Sequence, residues 1–307
     1  MKKFLVLMLS FAMILTMCTA CGKMEETQNE TPKVLTDPEI KISENLPTFN
    51  MKGTYTPTEN KLSGADETVL WTYEGDADSE YSYVAEFSWA ASGKTLEEEA
   101  KADADEFYPE QELSISVTDC WHEVGEAENA YYCAYQEDAK GFVQSWIFQD
   151  GDKIYQVAAV TDGVEYTIDE LNVTLVLPKT MEKLATPIEG AIACFKDAAG
   201  QFPDFNIYSM PLESEISAEA LEERWGVNNV KIEEHKFLDI DNKEVIGGYK
   251  VSCDFEVDGT KLLGSENIIK SDDKYELYEF TRLADHLIGT SLDVEQRSML
   301  YTVSPVE

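Results

Sequence analysis

Basic residues are scarce in this sequence. Its 307 residues include 24 lysines and arginines against 60 aspartates and glutamates, a formal net charge of −36 at pH 7. Such an acidic surface repels the phosphates of nucleic acids and anionic lipid headgroups. We therefore expect no nucleic-acid partner, and we interpret the surplus of acids mainly as a means of keeping the protein soluble.

Histidine, the commonest catalytic base, is also rare. The three histidines are His122, His235 and His286. None stands in a pattern that joins it to a nucleophile and an acid, and the sequence contains neither a G-x-S-x-G motif nor a glycine-rich phosphate loop. We therefore expect a protein that is not an enzyme and that carries no cofactor.

Cysteine spacings typical of metal sites are missing. The body of the chain contains Cys120, Cys133, Cys194 and Cys253, with no C-x-x-C pair among them. A disulfide between Cys120 and Cys133 is one hypothesis, because a hairpin register shifted by one residue would make them face each other. Buried free thiols are the alternative.

A calcium-binding loop is absent as well. The segment "LDIDNKEV" (238–245) offers oxygen ligands from Asp239, Asp241 and Asn242. It lacks the glycine that an EF-hand loop needs at its sixth position. Turn formation explains these residues better, and we predict no metal site here.

Long apolar runs are missing except at the N-terminus. There, Lys2 and Lys3 precede an apolar stretch from Phe4 to Ala20. This stretch is short for a membrane-spanning helix, which needs about 20 residues. It suits the apolar core of a secretory signal, which ends at small residues.

The residues Cys18-Thr19-Ala20-Cys21 resemble a bacterial lipobox. The resemblance implies that residues 1–20 are a lipoprotein signal peptide and that Cys21 carries a diacylglyceryl group at the start of the mature chain. Two acyl chains are enough for stable anchoring. The expected location is the extracytoplasmic face of a cell membrane, with membrane lipid as a partner.

Residues 21–62 are polar and contain four scattered prolines, at 32, 38, 47 and 57. We interpret them as a flexible linker.

The next part, 63–183, has the pattern of a first α+β domain. "ETVLWTY" (67–73) and "YSYVAEFSW" (81–89) are typical of strands. Thr95 and Glu98 have the capping-box spacing at the start of a helix. Strand-like runs with short, hairpin-type connections then follow at 113–124, 130–137, 141–149, 152–160 and 171–178.

Residues 184–307 repeat this order, and we interpret them as a second, similar domain. Ser217 opens a short helix, and strand-like runs follow at 230–239, 245–257, 260–270, 273–281 and 298–305. A shift of 120 residues superposes, among others, Cys133 on Cys253, Ser145 on Ser265 and Tyr155 on Tyr275, which suggests duplication. The second domain is expected to have an additional helix in "TPIEGAIACFKDAAG" (186–200), with Cys194 packed near its apolar face.

"YSYVAEFSW", "TLEEEA" and "DGDKIYQVAAV" resemble PsbP-like domains in their order of elements. The resemblance implies two similar domains, each an antiparallel β-sheet with one or two packed helices. It further implies a binding or assembly protein. A cystatin-like fold, with one helix packed on a curved sheet, is the alternative.

Aromatic residues alternate along the first two strands of the body: Trp71, Tyr73, Tyr81, Tyr83, Phe87 and Trp89. We expect them to lie in the core; the alternative is a groove for an apolar ligand or a sugar.

The expected function is that of a membrane-anchored lipoprotein with a non-enzymatic binding or scaffolding role. A solute-binding lipoprotein of an uptake system is the alternative, and a cell-envelope hydrolase is a third possibility.

Overall fold

The computed structural model describes residues 33–46, 48–59, 65, 67–73, 81–107, 116–119, 130–137, 141–198, 202–238, 245–283, 299–300 and 303–305. The strands of the first half are β1 (Leu35–Thr36), β2 (Glu39–Lys41), β3 (Thr48–Asn50), β4 (Thr54–Glu59), β5 (Glu67–Tyr73), β6 (Tyr83–Ala90), β7 (Ser116–Asp119), β8 (Ala130–Glu137) and β9 (Gly141–Asp150). Those that follow are β10 (Lys153–Ile168), β11 (Val173–Pro178), β12 (Met181–Lys183), β13 (Ala193–Asp197), β14 (Asp204–Pro211), β15 (Lys231–Leu238), β16 (Val245–Val257), β17 (Thr260–Lys270), β18 (Lys274–Leu283) and β19 (Ser304–Pro305). The helices are α1 (Leu96–Phe107) and α2 (Ala218–Trp225).

The chain forms two compact units. Unit 1 comprises residues 1–121, 125–133 and 143–161, and unit 2 comprises 122–124, 134–142 and 162–307. The division falls within β10, between Thr161 and Asp162, whereas the sequence interpretation placed it between residues 183 and 184.

Unit 1 is built on a sheet in which the strands follow the order β1-β4-β5-β6-β10-β9-β8-β7. Helix α1 contributes Leu96 and Ala100 to a buried cluster with Ile147 of β9 and Ile154 of β10. Its start has the predicted capping box: the Glu98 N–H donates to Thr95 Oγ1 at 3.2 Å, and the Thr95 N–H donates to Glu98 Oε2 at 2.9 Å.

The prediction of a flexible linker is wrong for residues 35–59, which form β1 to β4. The apolar residues of this segment are buried, namely Ile40, Phe49, Met51 and Tyr55. The linker prediction relied on scattered prolines, including Pro57. Proline argues against a strand only in the interior of a sheet, because it cannot donate a hydrogen bond to a neighbouring strand. β1 pairs with β4 only at Thr54 and Tyr55, so Pro57 lies where β4 forms an edge.

Unit 2 contains a seven-stranded sheet in the order β12-β13-β14-β18-β17-β16-β15. Its pairs are antiparallel. One face carries an aromatic core in which Phe205 stacks on Phe280, with ring centroids 4.5 Å apart. The other face packs on α2, with Leu221, Val251, Ile268 and Leu277 in one buried cluster. The predicted class of fold, two antiparallel sheets each with a packed helix, is thereby confirmed.

The predicted helix over 186–200 is wrong. Residues 193–197 form β13, which pairs with β12 and β14. Ala193, Cys194 and Phe195 are all buried, and a short run that is apolar on every side has no period that separates strand from helix. Cys194 is packed, as predicted, and is a free thiol.

The same arrangement occurs in both units at a spacing of 121 residues. The pair Trp89–Ile154 of unit 1 corresponds to the pair Met210–Tyr275 of unit 2, and α1 and α2 cover equivalent positions of the two sheets. For β9 and β10, the superposition predicted at 120 residues is therefore wrong by one. Because side chains alternate between faces, that slip places Tyr155 on the wrong face.

The predicted closing strand at 298–305 is shorter in the structure. Within the described part of that segment, only Ser304 and Pro305 are in a strand, and they pair with Thr174 and Val173 of β11.

Candidate ligand-binding site

Unit 2 contains a cleft of about 370 Å³. This volume falls within the range of small-molecule sites. Its lining residues come from α2, four strands of the sheet and the segment before β13: Ile188, Glu189, Tyr208, Arg224, Trp225, Phe255, Gly264, Glu279, Phe280 and Thr281.

Helix α2 places Arg224 and Trp225 in the cleft at its last turn. The Ser217 side chain accepts from the Ala220 N–H at the start of the helix, and Gly226 ends it with a left-handed backbone at φ 68°. Leu221, 1% exposed, fixes the helix on the sheet. Because both ends of the helix are capped and Leu221 is buried, the helix is fixed on the sheet. The backbone positions of Arg224 and Trp225 are therefore fixed as well.

Gly264 lines the cleft at a tightly packed position. A Cβ at this position would lie 3.0 Å from Cys253 Sγ and 3.1 Å from a ring carbon of Phe255. Such distances are shorter than ordinary van der Waals contact, so any larger residue would move the Phe255 ring or the thiol.

Arg224 joins two carboxylates that face each other across neighbouring strands. Glu266 and Glu279 are direct partners in the pairing of β17 with β18. Arg224 Nη2 donates to Glu266 Oε1 at 2.5 Å and to Glu279 Oε2 at 3.0 Å. Its guanidinium also lies over the Tyr208 ring, 4.8 Å from the centroid.

Glu279 is further held by two neutral donors. Asn206 Nδ2 donates to Glu279 Oε1 at 3.1 Å, and the Tyr208 hydroxyl donates to the same oxygen at 3.3 Å. Both Glu279 oxygens are therefore engaged.

Glu266 has a different environment, because its side chain is fully buried. Burial raises its pKa to about 7, and nearby Glu279 adds to this effect, although Arg224 acts in the opposite direction. Burial and the neighbouring acids also raise the pKa of the Cys253 thiol, to about 12. Cys253 is therefore a neutral thiol near pH 7 and a poor nucleophile.

Three polar atoms of this cluster are buried without a hydrogen-bond partner among the residues that the structure describes. They are Arg224 Nη1, Trp225 Nε1 and Glu266 Oε2. Buried polar atoms normally have a partner, and leaving one unmade is costly. Two of the three belong to side chains that line the cleft, but the atoms themselves have almost no accessible surface and do not face it.

Most of the residues singled out in the sequence cannot be compared with this cleft. Cys21, Cys120, His122, Asp239, Asp241, Asn242 and His286 lie outside the described residues. Cys133 belongs to β8, and its disulfide with Cys120 stays a prediction. His235 is exposed on β15.

The aromatic residues of the first two strands are divided between core and partial exposure. Tyr81 and Phe87 are buried as expected, with exposures of 0% and 5%. Trp71, Tyr83 and Trp89 are partly buried. The sequence analysis did not predict the Arg224 cluster. Its one signal in the sequence was a pair of acids, Glu266 and Glu279, 13 residues apart in two adjacent strand-like runs.

No protein-family model matches the chain, and a search of curated proteins finds no match. Among solved structures, the chain is similar to cyanobacterial PsbP (CyanoP) from Synechocystis sp. PCC 6803, determined in solution. The two share 9% sequence identity and superpose with a TM-score of 0.33, over 47% of this chain and 92% of the other. This distant similarity covers about half of the chain.

Among the residues that the structure describes, no group of three or more His, Cys, Asp or Glu side chains is placed to hold a metal ion. No helix in that part of the chain has the length and apolar character needed to cross a bilayer.

Proposed function

We propose that this protein is a non-enzymatic binding protein held at the extracytoplasmic face of a cell membrane by a diacylglyceryl group on Cys21. The ligand is a small molecule that enters the cleft of unit 2. The lipobox-like residues 18–21 support the anchor.

One observation carries the proposal of a ligand. A cleft with room for a small molecule is lined by charged, hydroxyl-bearing and aromatic side chains, among them Arg224, Glu279, Tyr208 and Trp225. An arginine that only attached α2 to the sheet would need no such space beside it.

The arrangement favours binding over catalysis. Arg224 holds Glu279, and Tyr208 and Asn206 bond to it as well. The Tyr208 hydroxyl is bonded to Glu279, but burial and Glu279 raise its pKa, and burial likewise keeps the Cys253 thiol neutral. These groups are fixed in place, as side chains that recognise a ligand must be.

The test is a titration of the full chain with sugars, amino acids, amines and carboxylates, one compound at a time, followed by thermal unfolding. A ligand raises the melting temperature of the wild type by mass action. Ile188→Trp places a large side chain at an exposed lining position, since Ile188 is 49% exposed. It is expected to abolish the shift.

Val164→Trp is the matched control. Val164 is also in unit 2, is 41% exposed and is not part of the cleft. A shift that survives in Ile188→Trp, or the absence of any shift across the whole set, would contradict a ligand site in this cleft.

A further inference from the structure

The sheet of unit 2 ends in a long, regular edge strand. β15 has eight residues, and all eight pair with β16 in an unbroken register, so no bulge bends the strand away. Among the described residues, the other strands at a sheet edge have two to four residues. A long, flat edge presents a row of backbone donors and acceptors to which another strand can bond.

The outer edge of β15 is open to solvent. Each side chain from position 231 to 236 is exposed, except that of Ile232, which is half-buried. In the part of the chain that the structure describes, β16 is the strand that pairs with β15. We infer that β15 pairs in antiparallel fashion with β15 of a second copy of this chain, so that the two seven-stranded sheets become continuous.

The charge of β15 permits a second copy to approach. The whole chain has a formal net charge of −36, and two such molecules repel each other over most of their surfaces. The strand "KIEEHKFL" has two lysines and two glutamates, and its formal charge is zero when its histidine is neutral. The repulsion between copies is therefore weak where these two edges meet.

Twofold symmetry restricts the register of such a pair. Directly opposite residues of an antiparallel pair point to the same face, and side chains alternate between the faces along a strand. A twofold axis perpendicular to the sheet leaves each residue on its own face, so even-numbered residues must lie opposite even-numbered ones. The axis therefore passes through one residue, which lies opposite its own copy.

The charges favour an axis at His235. Glu234 then lies opposite the partner's Lys236, and Lys236 lies opposite the partner's Glu234, which gives one attractive pair on each side of the axis. An axis at Glu233, Glu234 or Lys236 would place two like charges directly opposite each other, which is destabilising. An axis nearer either end of the strand would pair fewer residues.

The neighbouring strand leaves these two charges for a partner to match. Glu234 lies opposite Tyr249 of β16, and Lys236 lies opposite Gly247. Glu233, by contrast, already lies opposite Lys250. The register centred on His235 therefore supplies opposite charges at the two positions where β16 offers none.

Disulfide cross-linking of the full chain in its own cells tests this pairing. One pair of strands is a small contact beside a standard interface of about 1,600 Å², so a weak dimer has to be trapped. His235→Cys places two thiols opposite each other, on Cα atoms about 4.5–5.5 Å apart, which suits a disulfide. After mild oxidation we expect a dimer on a non-reducing gel, and a reductant should return it to the monomer.

Glu233→Cys is the matched control, because Glu233 is exposed on the same face of the same strand. In this register its two copies are four residues apart along the strands, about 13 Å, which is too far for a disulfide. A dimer yield from His235→Cys that does not exceed the yields from Glu233→Cys and the wild type would overturn the inference.

Charge reversal in the His235→Cys background tests the register. Lys236→Glu makes two pairs of like charges, and we expect it to lower the dimer yield about tenfold. Adding Glu234→Lys exchanges the two charges and should restore the yield. Lys261→Glu, at an exposed position of β17, changes the net charge equally and should have no effect. A yield that Lys236→Glu leaves unchanged, or that the exchange fails to restore, would contradict the pairing.

Discussion

At the scale of the residue, Glu266 is the most informative side chain. It is fully buried, bonded to Arg224 at 2.5 Å, and paired across the sheet with a second carboxylate. Taking a charge out of water costs several kcal/mol, which one ion pair offsets only in part. The raised pKa of Glu266 is the consequence of this imbalance.

The pH dependence of stability should reflect that shift. A carboxyl with a raised folded-state pKa contributes stability that is fully present below its unfolded value of 4.5 and is lost as the pH rises through about 7. The loss amounts to roughly 3 kcal/mol, given that one pKa unit corresponds to 1.36 kcal/mol. Glu266→Gln copies the protonated form and should lack this loss.

We therefore expect Glu266→Gln to match the wild type in urea unfolding near pH 5 and to exceed its stability at pH 8. The exposed Glu165→Gln is the control and should change neither value. A Glu266→Gln protein that is less stable than the wild type at pH 8 would mean that the ionised pair is stabilising, contrary to this account.

The candidate site illustrates what a sequence leaves out. Arg224, Glu266 and Glu279 come from a helix and two strands, and their meeting depends on the register of β17 with β18. The sequence holds 60 acids, so no single pair is distinctive. The importance of Gly264 is equally invisible until Cys253 and Phe255 are known to lie beside it.

At the scale of the element, the β4 strand is the main difference between expectation and structure. Tyr55 is fully buried, and its hydroxyl donates toward the carbonyl oxygens of Lys52 and Tyr81 at 3.1 and 3.3 Å. It also accepts from the Tyr81 N–H at 3.2 Å. These contacts attach the segment before residue 60 to the body of unit 1.

Tyr55→Phe should therefore lower the free energy of unfolding by about 1–3 kcal/mol, since it leaves a buried N–H without its partner. Tyr55→Ala should cost about 3–5 kcal/mol, because it also leaves a cavity. Chemical denaturation monitored by circular dichroism measures both. Thr58→Ala, on an exposed position of the same strand, is the control; equal and negligible effects of all three substitutions would mean that the segment is not part of the fold.

Other elements were predictable because their signals are local. The capping box of α1, the bounds of β5 and those of β16 and β17 follow from residues within the elements themselves. The strand β13 did not, since Ala193, Cys194 and Phe195 are buried on both faces of the sheet and its short apolar run shows no alternation. The predicted spacing of 120 residues between the two units differs from the structure by one. The sequence does not show which face of a strand is packed, because that depends on the elements that lie against it.

At the scale of the whole molecule, two units with the same strand order and helix position follow one another along the chain. Among the described residues, the cluster of an arginine with two carboxylates at the helix is found in unit 2. At the spacing of 121 residues, the positions of unit 1 equivalent to Glu266 and Glu279 are Ser145 and Ala158. This difference supports the proposal that the binding site lies in unit 2.

The proposed location of the protein at a membrane depends on the chemical state of its mature N-terminus. Mass spectrometry of the protein recovered from its cells should find a chain that begins at Cys21 and carries a diacylglyceryl group, and labelled palmitate should enter the wild type and Cys18→Ala but not Cys21→Ala. A freely secreted chain with an unmodified N-terminus would contradict the account.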